Sequence, residues 1–361
     1  MASPKALPPP PSTRAAFRIA VICALPEERD TVEHLMSRYY DEEGKDYGMV
    51  PGDTNHYTCG ELGGKPVVLV APAQMGLVTT RKLATEMRMS FPNIKWALVV
   101  GIIGGAPFKH TKENQESEPD KEWPESGIQL GDVVISTQVL SDFGTQLENR
   151  RKRKTAVEET LSRAPDEVTN FLNTLKTGES RKFGVILAAT QEDYVAITKR
   201  EKYKRPEQTT DRVYSSDHRH KHHGPVTCIC RDCMGSQDNV CSDAVTASCE
   251  KLGCVPVRTN IERPARIHFG RVYSGNSVLK SARERDILVE EDQCIGFEME
   301  GAGAWEIFGT IVVKGVVDYA DSHKSKAWRS YPAAKAALCA RALIKEIQLP
   351  DAQLQHETSG Q

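Results

Sequence analysis

The chain has 361 residues and a formal net charge of −2. This near-neutral balance gives no sign of a surface for nucleic acid or an anionic membrane, and no apolar stretch reaches the roughly 18–20 residues of a membrane span. The N-terminal residues have no apolar h-region, so we predict no signal peptide and a cytoplasmic protein. In that compartment the ten cysteines are expected to be thiols or metal ligands rather than disulfides.

Apolar runs alternate with helical patterns along most of the chain, which is typical of an α/β protein. Strands are predicted at residues 17–23, 66–70, 96–100, 132–136, 183–187 and 267–273. Helices are predicted from about residue 26, from 76 to about 89, and from about 332 to 347. We therefore expect a single three-layer α/β/α domain at 16–348 with a mixed, largely buried sheet, between a disordered leader (1–15) and a polar tail (349–361).

Two polar stretches interrupt this alternation. Residues 109–127 are charged and predict a surface loop, and residues 195–262 predict an insertion that carries six of the ten cysteines. Within the insertion, Cys230 and Cys233 have the C-x-x-C spacing of half a zinc site, which His218 and His220 can complete. Other candidates for the second half are Cys241, Cys249 and Cys254. The alternative is a loop of free thiols and solvated histidines.

Two segments near the C-terminus place carboxylates at the end of apolar runs. One is residues 297–300, with Glu298 and Glu300, and the other follows the apolar run 310–317 and contains Asp318 and Asp321. Charges at the end of a buried strand are costly unless they have partners or a use. Open α/β sheets bind their ligands at such strand ends, so these carboxylates are the first candidates for a functional site.

These segments belong to a set that resembles the purine and uridine phosphorylase superfamily, which includes the methylthioadenosine/S-adenosylhomocysteine nucleosidases. Within it, the chain is most similar to the fungal branch. The matching segments occur in family order within roughly residues 16–348: 23–28, 100–107, 130–136, 142–144, 274–276, 297–300 and 318–324. The resemblance implies a nucleoside phosphorylase-like fold and cleavage of the bond between ribose C1′ and a base nitrogen.

Such cleavage passes through an oxocarbenium-like transition state, so a site must protonate the base, hold the ribose and supply a nucleophile. The resemblance assigns base protonation to Asp318, since a partly buried carboxyl can act as a general acid; the alternative is a cap of the following turn. It assigns the ribose hydroxyls to Glu300, with Met299 against the sugar. Asp321 and Glu298 belong either to the site or to a structural network.

Base recognition is less clear in the sequence. Val278 and Leu279 lie where related nucleosidases stack residues beside the base, and Asn276 can reach a base edge, although packing and capping at a helix start explain these residues equally well. Gly104 lies in the glycine-rich segment 101–105, which lacks the G-x-G-x-x-G spacing of a dinucleotide site and instead predicts close approach of the backbone to the nucleoside.

The nucleophile decides between hydrolysis and phosphorolysis. By alignment with the family, Glu28 corresponds to the water-activating glutamate of the nucleosidases, with an exposed first-turn glutamate as the alternative reading. Val99 and Ile102 replace an arginine and a serine that bind phosphate in the phosphorylases. We therefore predict a purine nucleosidase, with a phosphorylase and a non-catalytic nucleoside sensor as alternatives. No cofactor is required, nucleic acid and membranes are not expected partners, a homo-oligomer is expected, and base specificity stays open.

Overall fold

The computed structural model describes residues 8–107, 127–141, 144–146, 151–153, 161–225, 227–233 and 239–350. Three sequence predictions fall partly outside these ranges: residues 1–7 of the leader, 351–361 of the tail, and all of the loop at 109–127 except Gly127. The matching segment 142–144 also lies outside them, apart from Gly144.

The described strands and helices alternate through most of the chain. The strands are β1 Ile19–Ile22, β2 Arg38–Tyr39, β3 Tyr57–Leu62, β4 Lys65–Val70, β5 Trp96–Gly105, β6 Val133–Ser141, β7 Gly144–Gln146, β8 Arg151–Arg153, β9 Arg212–Val213, β10 Arg258–Thr259, β11 Ile267–Ser274, β12 Cys294–Glu298 and β13 Gly309–Asp318. The α-helices are α1 Pro26–Glu33, α2 Leu77–Ser90, α3 Asp166–Asn173, α4 Arg181–Gln191, α5 Tyr194–Thr198, α6 Ser242–Thr246, α7 Cys249–Leu252, α8 Ala282–Asp292, α9 Gly301–Trp305 and α10 Ser330–Glu346.

One nine-stranded sheet organises these elements, in the order β12-β11-β6-β13-β5-β1-β4-β3-β2. It is mixed, because β5 pairs in parallel with β1 and β13 while β6 runs antiparallel to β13. The central strands are almost wholly apolar and buried, as strands covered on both faces must be. The predicted α/β class with a mixed, largely buried sheet is confirmed.

A second pairing joins β12, at one end of this strand order, to the central strand β5. β12 pairs with β11 and also runs antiparallel to the end of β5, where Phe297 faces Gly104. On its other side Gly104 is in register with Asp318 of β13. The two carboxylate-bearing segments, nearly twenty residues apart in sequence, therefore lie on either side of the glycine-rich end of β5.

One predicted strand is wrong. Residues 183–187 lie inside the helix α4, which the Ser180 side chain caps by accepting a hydrogen bond from the Phe183 backbone nitrogen at 3.0 Å. The buried residues Ile186 and Thr190 are four apart, which is the helical spacing, and α4 packs on α10. A short apolar run does not by itself distinguish a strand from a buried helix face. None of the described helices combines the length and apolar character needed to cross a membrane.

Candidate active site

A cavity of about 740 Å³ opens where the ends of β5, β12 and β13 meet. Its volume falls in the range of sites for small organic ligands. The residues predicted for the site that line it are Glu28, Gly104, Val278, Glu298, Met299, Glu300 and Asp318. Two predicted residues, Asn276 and Asp321, lie near its edge without lining it.

Glu28 is held at the first turn of α1 by two backbone hydrogen bonds. Its Oε2 accepts from the Leu25 nitrogen at 2.9 Å, which completes a capping box, and its Oε1 accepts from the Ile102 nitrogen at 2.8 Å. A side chain at position 101 would not fit, because a Cβ there would lie 2.0 Å from Oε1. Glu28 is 2% exposed, so it is a first-turn glutamate directed into the protein and the cavity.

Lys314 lies in the middle of β13 and is fully buried behind the cavity. Its Nζ donates to Glu300 Oε2 at 3.1 Å and lies 3.8 Å from Glu28 Oε1. Strand register explains this placement, since Lys314 pairs with Gly101, over which the Glu28 carboxylate rests. One ammonium thus joins a carboxylate from α1 to one that follows β12.

This charge cluster comprises Lys314 and the three carboxylates of Glu28, Glu298 and Glu300. Burial raises the pKa of Glu28; Lys314 opposes this shift and the charge of Glu300 adds to it. Burial also raises the pKa of Glu298, to about 7, and the charge of Glu300 adds to that shift. Burial by itself lowers the pKa of the Lys314 ammonium, but attraction to the three carboxylates outweighs it and raises that pKa.

Glu298 shapes the turn that leads into α9. One of its oxygens accepts from the Glu300 nitrogen at 2.9 Å, and both accept from the Gly301 nitrogen at 2.9–3.0 Å. The hydroxyl of Ser274 is a further hydrogen-bond partner. These bonds fix the backbone that presents Met299 and Glu300 to the cavity, so Glu298 has a structural network and also lines the site.

Asp318 ends β13 on the other side of Gly104. Its Oδ1 accepts from the Ala320 nitrogen at 2.8 Å and from Lys324 Nζ at 2.7 Å. Ala320 has a φ of +53°, a left-handed conformation that costs a non-glycine residue about 1 kcal/mol or more and is often found at functional sites. Among the described residues both hydrogen bonds of the carboxylate go to Oδ1, which leaves Oδ2 for a ligand.

Asp321 and Asn276 organise loops beside the cavity. Asp321 is 3% exposed, and its Oδ1 accepts from the His323 nitrogen at 2.8 Å. Burial by itself raises the pKa of Asp321, but the bonds and charge of His323 and the charge of Arg285 lower it below its usual range. Asn276 Oδ1 accepts from the nitrogen of Leu77, the first residue of α2, at 3.3 Å.

Three cationic residues around the site were assigned no role from the sequence. Lys324 belongs to the matching segment 318–324, and its position there is a sequence signal of a role at the site. Lys314 interrupts an apolar run, which was a second signal. Arg285 is fully buried in α8 and donates from Nη1 to the Tyr319 carbonyl at 2.8 Å, but its segment reads as a charged surface helix and contains no signal of this role.

The two apolar replacements considered for the nucleophile lie in different environments. The Ile102 side chain lines the cavity, and its own backbone nitrogen donates to the Glu28 carboxylate. Val99 is fully buried in the core of β5.

The structure does not gather the predicted zinc ligands His218, His220, Cys230 and Cys233 into one group among the described residues. Cys233 Sγ instead lies 2.6 Å from Arg219 Nη1. Histidines and cysteines of the insertion form other close groups, which are considered below.

Comparison with known proteins relates the chain to nucleosidases by fold. No family model matches. Similar solved structures are 5′-methylthioadenosine/S-adenosylhomocysteine nucleosidases. A mutant from Helicobacter pylori with 5′-methylthioadenosine in the active site has a TM-score of 0.51 at 12% identity, covering 91% of this chain and 98% of that one. The Neisseria meningitidis enzyme with methylthio-immucillin-A has a TM-score of 0.51 at 14% identity, with the same coverage. The chain has the fold of these nucleosidases.

One curated relative has a different description. It is a nucleotide-binding leucine-rich repeat (NLR)-like protein of Hyaloscypha variabilis, 26% identical over 329 residues. The match covers 91% of this chain, which spans 29% of the length of that relative.

Proposed function

We propose that the chain hydrolyses the N-glycosidic bond of purine nucleosides and releases the base and ribose. The observation that carries this proposal is the placement of Glu28, Glu300 and Asp318 around one cavity, with Lys314 bridging the first two. The fold shared with methylthioadenosine nucleosidases supports N-ribosyl chemistry. The resemblance of the matching segments to the fungal branch of the superfamily supports the same reaction class.

Each residue has one task in the proposed reaction. Asp318 protonates the leaving base through Oδ2, while Lys324 and the Ala320 nitrogen hold Oδ1 in place. Glu300 accepts hydrogen bonds from the ribose hydroxyls, with Lys314 behind it as counter-ion. Met299 packs against the sugar, and departure of the base leaves the positive charge of the oxocarbenium ion close to these carboxylates.

Water is the proposed nucleophile, with Glu28 as the group that orients and deprotonates it. Burial raises the pKa of Glu28, which makes its carboxylate a better proton acceptor near neutral pH. The backbone bonds from Leu25 and Ile102 hold the carboxylate in one orientation. A phosphate dianion in the same place would face this carboxylate and the apolar side chain of Ile102, which supports hydrolysis over phosphorolysis.

The test compares turnover of inosine, guanosine, adenosine and 5′-methylthioadenosine with and without phosphate, with base and sugar products separated by chromatography. We expect free ribose or the free 5′-substituted sugar at the same rate in both conditions. Glu28→Gln and Asp318→Asn should each lower kcat at least 100-fold. Glu27→Gln, one residue away and bound to Ser330, is the matched control and should retain activity. A strict need for phosphate, with ribose 1-phosphate as product, would refute hydrolysis.

A nucleoside-sensing module is the second candidate, because the curated relative is an NLR-like protein. Calorimetry on the same nucleosides distinguishes the two functions. Binding without turnover, unchanged by Asp318→Asn, supports the sensor. Turnover that disappears in Asp318→Asn while binding persists supports the enzyme.

We also propose that the chain forms a homo-oligomer that covers the cavity mouth. Three apolar side chains lining the cavity are exposed, namely Met75 (47%), Val278 (50%) and Ile287 (40%). Exposed apolar groups clustered at a site often mark an interface. Light scattering should give a mass of at least two chains, and Val278→Asp should shift it toward one chain. A monomeric wild-type protein at micromolar concentration would contradict this proposal.

A further inference from the structure

The segment 214–257 has very little apolar core of its own. The antiparallel pair β9–β10 closes it, with Val213 opposite Arg258. Its described part contains two short helices, α6 and α7, and one small buried cluster: Tyr214, Cys230, Ala244, Leu252 and Cys254. Units of about this size usually need disulfides or a metal to stay folded, and Cys228, Cys230, Cys241, Cys249 and Cys254 form no disulfide bonds in the structure.

One group of possible ligands surrounds Cys230. The ligand atoms of His222, Cys228 and Cys241 lie within 4.8 Å of one another. The buried Cys230 thiol contacts the thiols of Cys228 and Cys241 and accepts from the Cys241 backbone nitrogen at 3.4 Å. A zinc–sulfur bond of about 2.3 Å places tetrahedral ligand atoms under 4 Å apart, so the ligand atoms of His222, Cys228 and Cys241 must move closer together, and the Cys230 thiol toward them, to form a site of three cysteines and one histidine.

A second group surrounds Cys254. Its ligand atom lies within 4.8 Å of those of His220 and Cys249, and within 4.8 Å of those of His218 and His223. His220 Nδ1 is 3.5 Å from Cys249 Sγ, close to a tetrahedral ligand separation. The set is again made of thiols and imidazoles, without a carboxylate.

Hydrogen bonds to carbonyl groups select the histidines of this second group. His220 Nε2 lies 3.0 Å from the Ala247 carbonyl, and His223 Nε2 lies 2.8 Å from the Arg219 carbonyl. A carbonyl only accepts, so each Nε2 carries the proton and each Nδ1 is the ring nitrogen with a lone pair, as in metal-bound histidines; in His220 this Nδ1 faces Cys249 Sγ. His218 Nε2 instead accepts from the Val255 nitrogen at 3.0 Å, which favours His223 over His218 as ligand.

We propose that the segment 214–257 binds two zinc ions. The first set of ligands is His222, Cys228, Cys230 and Cys241, and the second is His220, His223, Cys249 and Cys254. Thiolate and imidazole ligands in sets of four are those of structural zinc, and binding releases the thiol protons to solvent. This assignment differs from the sequence-based one, because Cys230 and His220 fall in separate sets, and His218 and Cys233 in neither.

The zinc module, defined as residues 214–257, packs against the loop that follows Asp318. His323 stacks on Tyr214 with ring centres 3.7 Å apart, and its side chain is 2% exposed. The ring Nδ1 of His323 lies 3.6 Å from Asp321 Oδ2, so the ring faces a buried carboxylate. The His220 backbone nitrogen donates to Ser322 Oγ at 3.0 Å, so a proposed zinc ligand is hydrogen-bonded directly to this loop. Metal loss should therefore loosen the loop as well as the module.

The test measures zinc in the full chain, purified through a tag without histidines so that no metal is added or removed. Elemental analysis should give two zinc ions per wild-type chain. Cys241→Ser and Cys249→Ser should each hold one, and Cys59→Ser, a half-buried cysteine of β3, should hold both. Replacement of zinc by cobalt(II) should give the visible bands of a tetrahedral thiolate site. A strong chelator should lower the unfolding temperature of the wild-type protein.

Fewer than two zinc ions in wild-type protein supplied with zinc during expression would overturn the proposal. An intact mass that is lower than the mass of the fully reduced chain by two hydrogens for each pair of cysteines would also overturn it, because this loss indicates disulfide bonds. The zinc content and cobalt spectrum of the wild type are decisive even where a variant fails to fold. Neither readout depends on the nucleosidase reaction, so the zinc module and the proposed function fail separately.

Discussion

Lys314→Met is the perturbation whose effect follows most directly from the structure. The ammonium is fully buried, 3.1 Å from Glu300 Oε2 and 3.8 Å from Glu28 Oε1. Methionine has a similar length, so the change removes the charge and leaves the packing nearly intact. Removing one partner of a buried ion pair typically costs about 3–5 kcal/mol, because the remaining charge has no counter-ion in a low-dielectric site.

The free energy of unfolding should therefore fall by about 3–5 kcal/mol at pH 8. The loss should be smaller near pH 5, because the unpaired carboxylates can take up protons there and become neutral. Urea titrations at a series of pH values measure both effects. Lys314→Arg keeps the charge and should lose less stability, although the larger guanidinium must be accommodated.

The result that would refute this reasoning is a pH-independent change of less than about 1 kcal/mol, the range of an exposed ion pair. Such a result would mean that, once Lys314 is removed, the three carboxylates are protonated or hydrated at little cost. Activity gives an independent readout, because Glu28 and Glu300 would lose the cation that holds them together. We expect kcat to fall at least tenfold in Lys314→Met, measured without urea and at a low temperature at which the variant is folded.

Three further predictions concern single positions around the cavity. Glu298 has a pKa of about 7 in the folded chain, against an ordinary value of 4.5. Between these pH values the folded state binds one more proton than the unfolded state, so the free energy of unfolding should fall by about 3 kcal/mol at most as the pH rises from about 4.5 to 7. Glu298→Gln should flatten this pH dependence in urea titrations. An unchanged slope would contradict the assignment. Gly101→Ala should displace the Glu28 carboxylate, because the new Cβ would lie 2.0 Å from Oε1, and should lower kcat at least tenfold. A variant with the kcat of the wild-type protein would show that displacing this carboxylate does not affect the reaction. Lys324→Met should lower kcat about tenfold with little change in KM, because Lys324 is proposed to position Asp318 for proton transfer. The free energy of unfolding should change by under about 1 kcal/mol, since the lysine side chain is 25% exposed. A large loss of stability with unchanged kcat would make Lys324 a structural residue.

The parts of the fold that could be predicted are those determined locally. The residues of β5 and β13 must be apolar on both faces, so these strands stand out as continuous apolar runs. The carboxylates of Glu298, Glu300 and Asp318 stood out for the opposite reason, as charges at the end of such runs. Their meeting at Gly104 needs the extra pairing of β12 with β5, which joins distant segments and has no local signature.

The parts that could not be predicted depend on tertiary packing. Residues 183–187 belong to α4, which packs against α10, although their composition alone suits a strand equally well. Arg285 reads as one charge among many in α8, and only the packing of that helix on the loop after β13 makes it a buried donor to Tyr319. The insertion stands out in the sequence as rich in cysteine and histidine, but the proposed division of its zinc ligands depends on backbone contacts such as the carbonyl bound by His220.

The charge cluster bears directly on the choice of nucleophile in the proposed reaction. One ammonium, Lys314, faces three carboxylates, so the cluster cannot be neutral unless two of them are protonated. Glu298, with a pKa raised to about 7, can take up one proton near neutral pH, which leaves the Lys314 ammonium facing the carboxylates of Glu28 and Glu300 with one negative charge in excess. A phosphate dianion would add negative charge on the side where the protein already has an excess, whereas a water molecule adds none and can give its proton to Glu28. The developing oxocarbenium ion gains the attraction of the Glu300 carboxylate, and this preference of the site for positive charge supports hydrolysis as the proposed reaction.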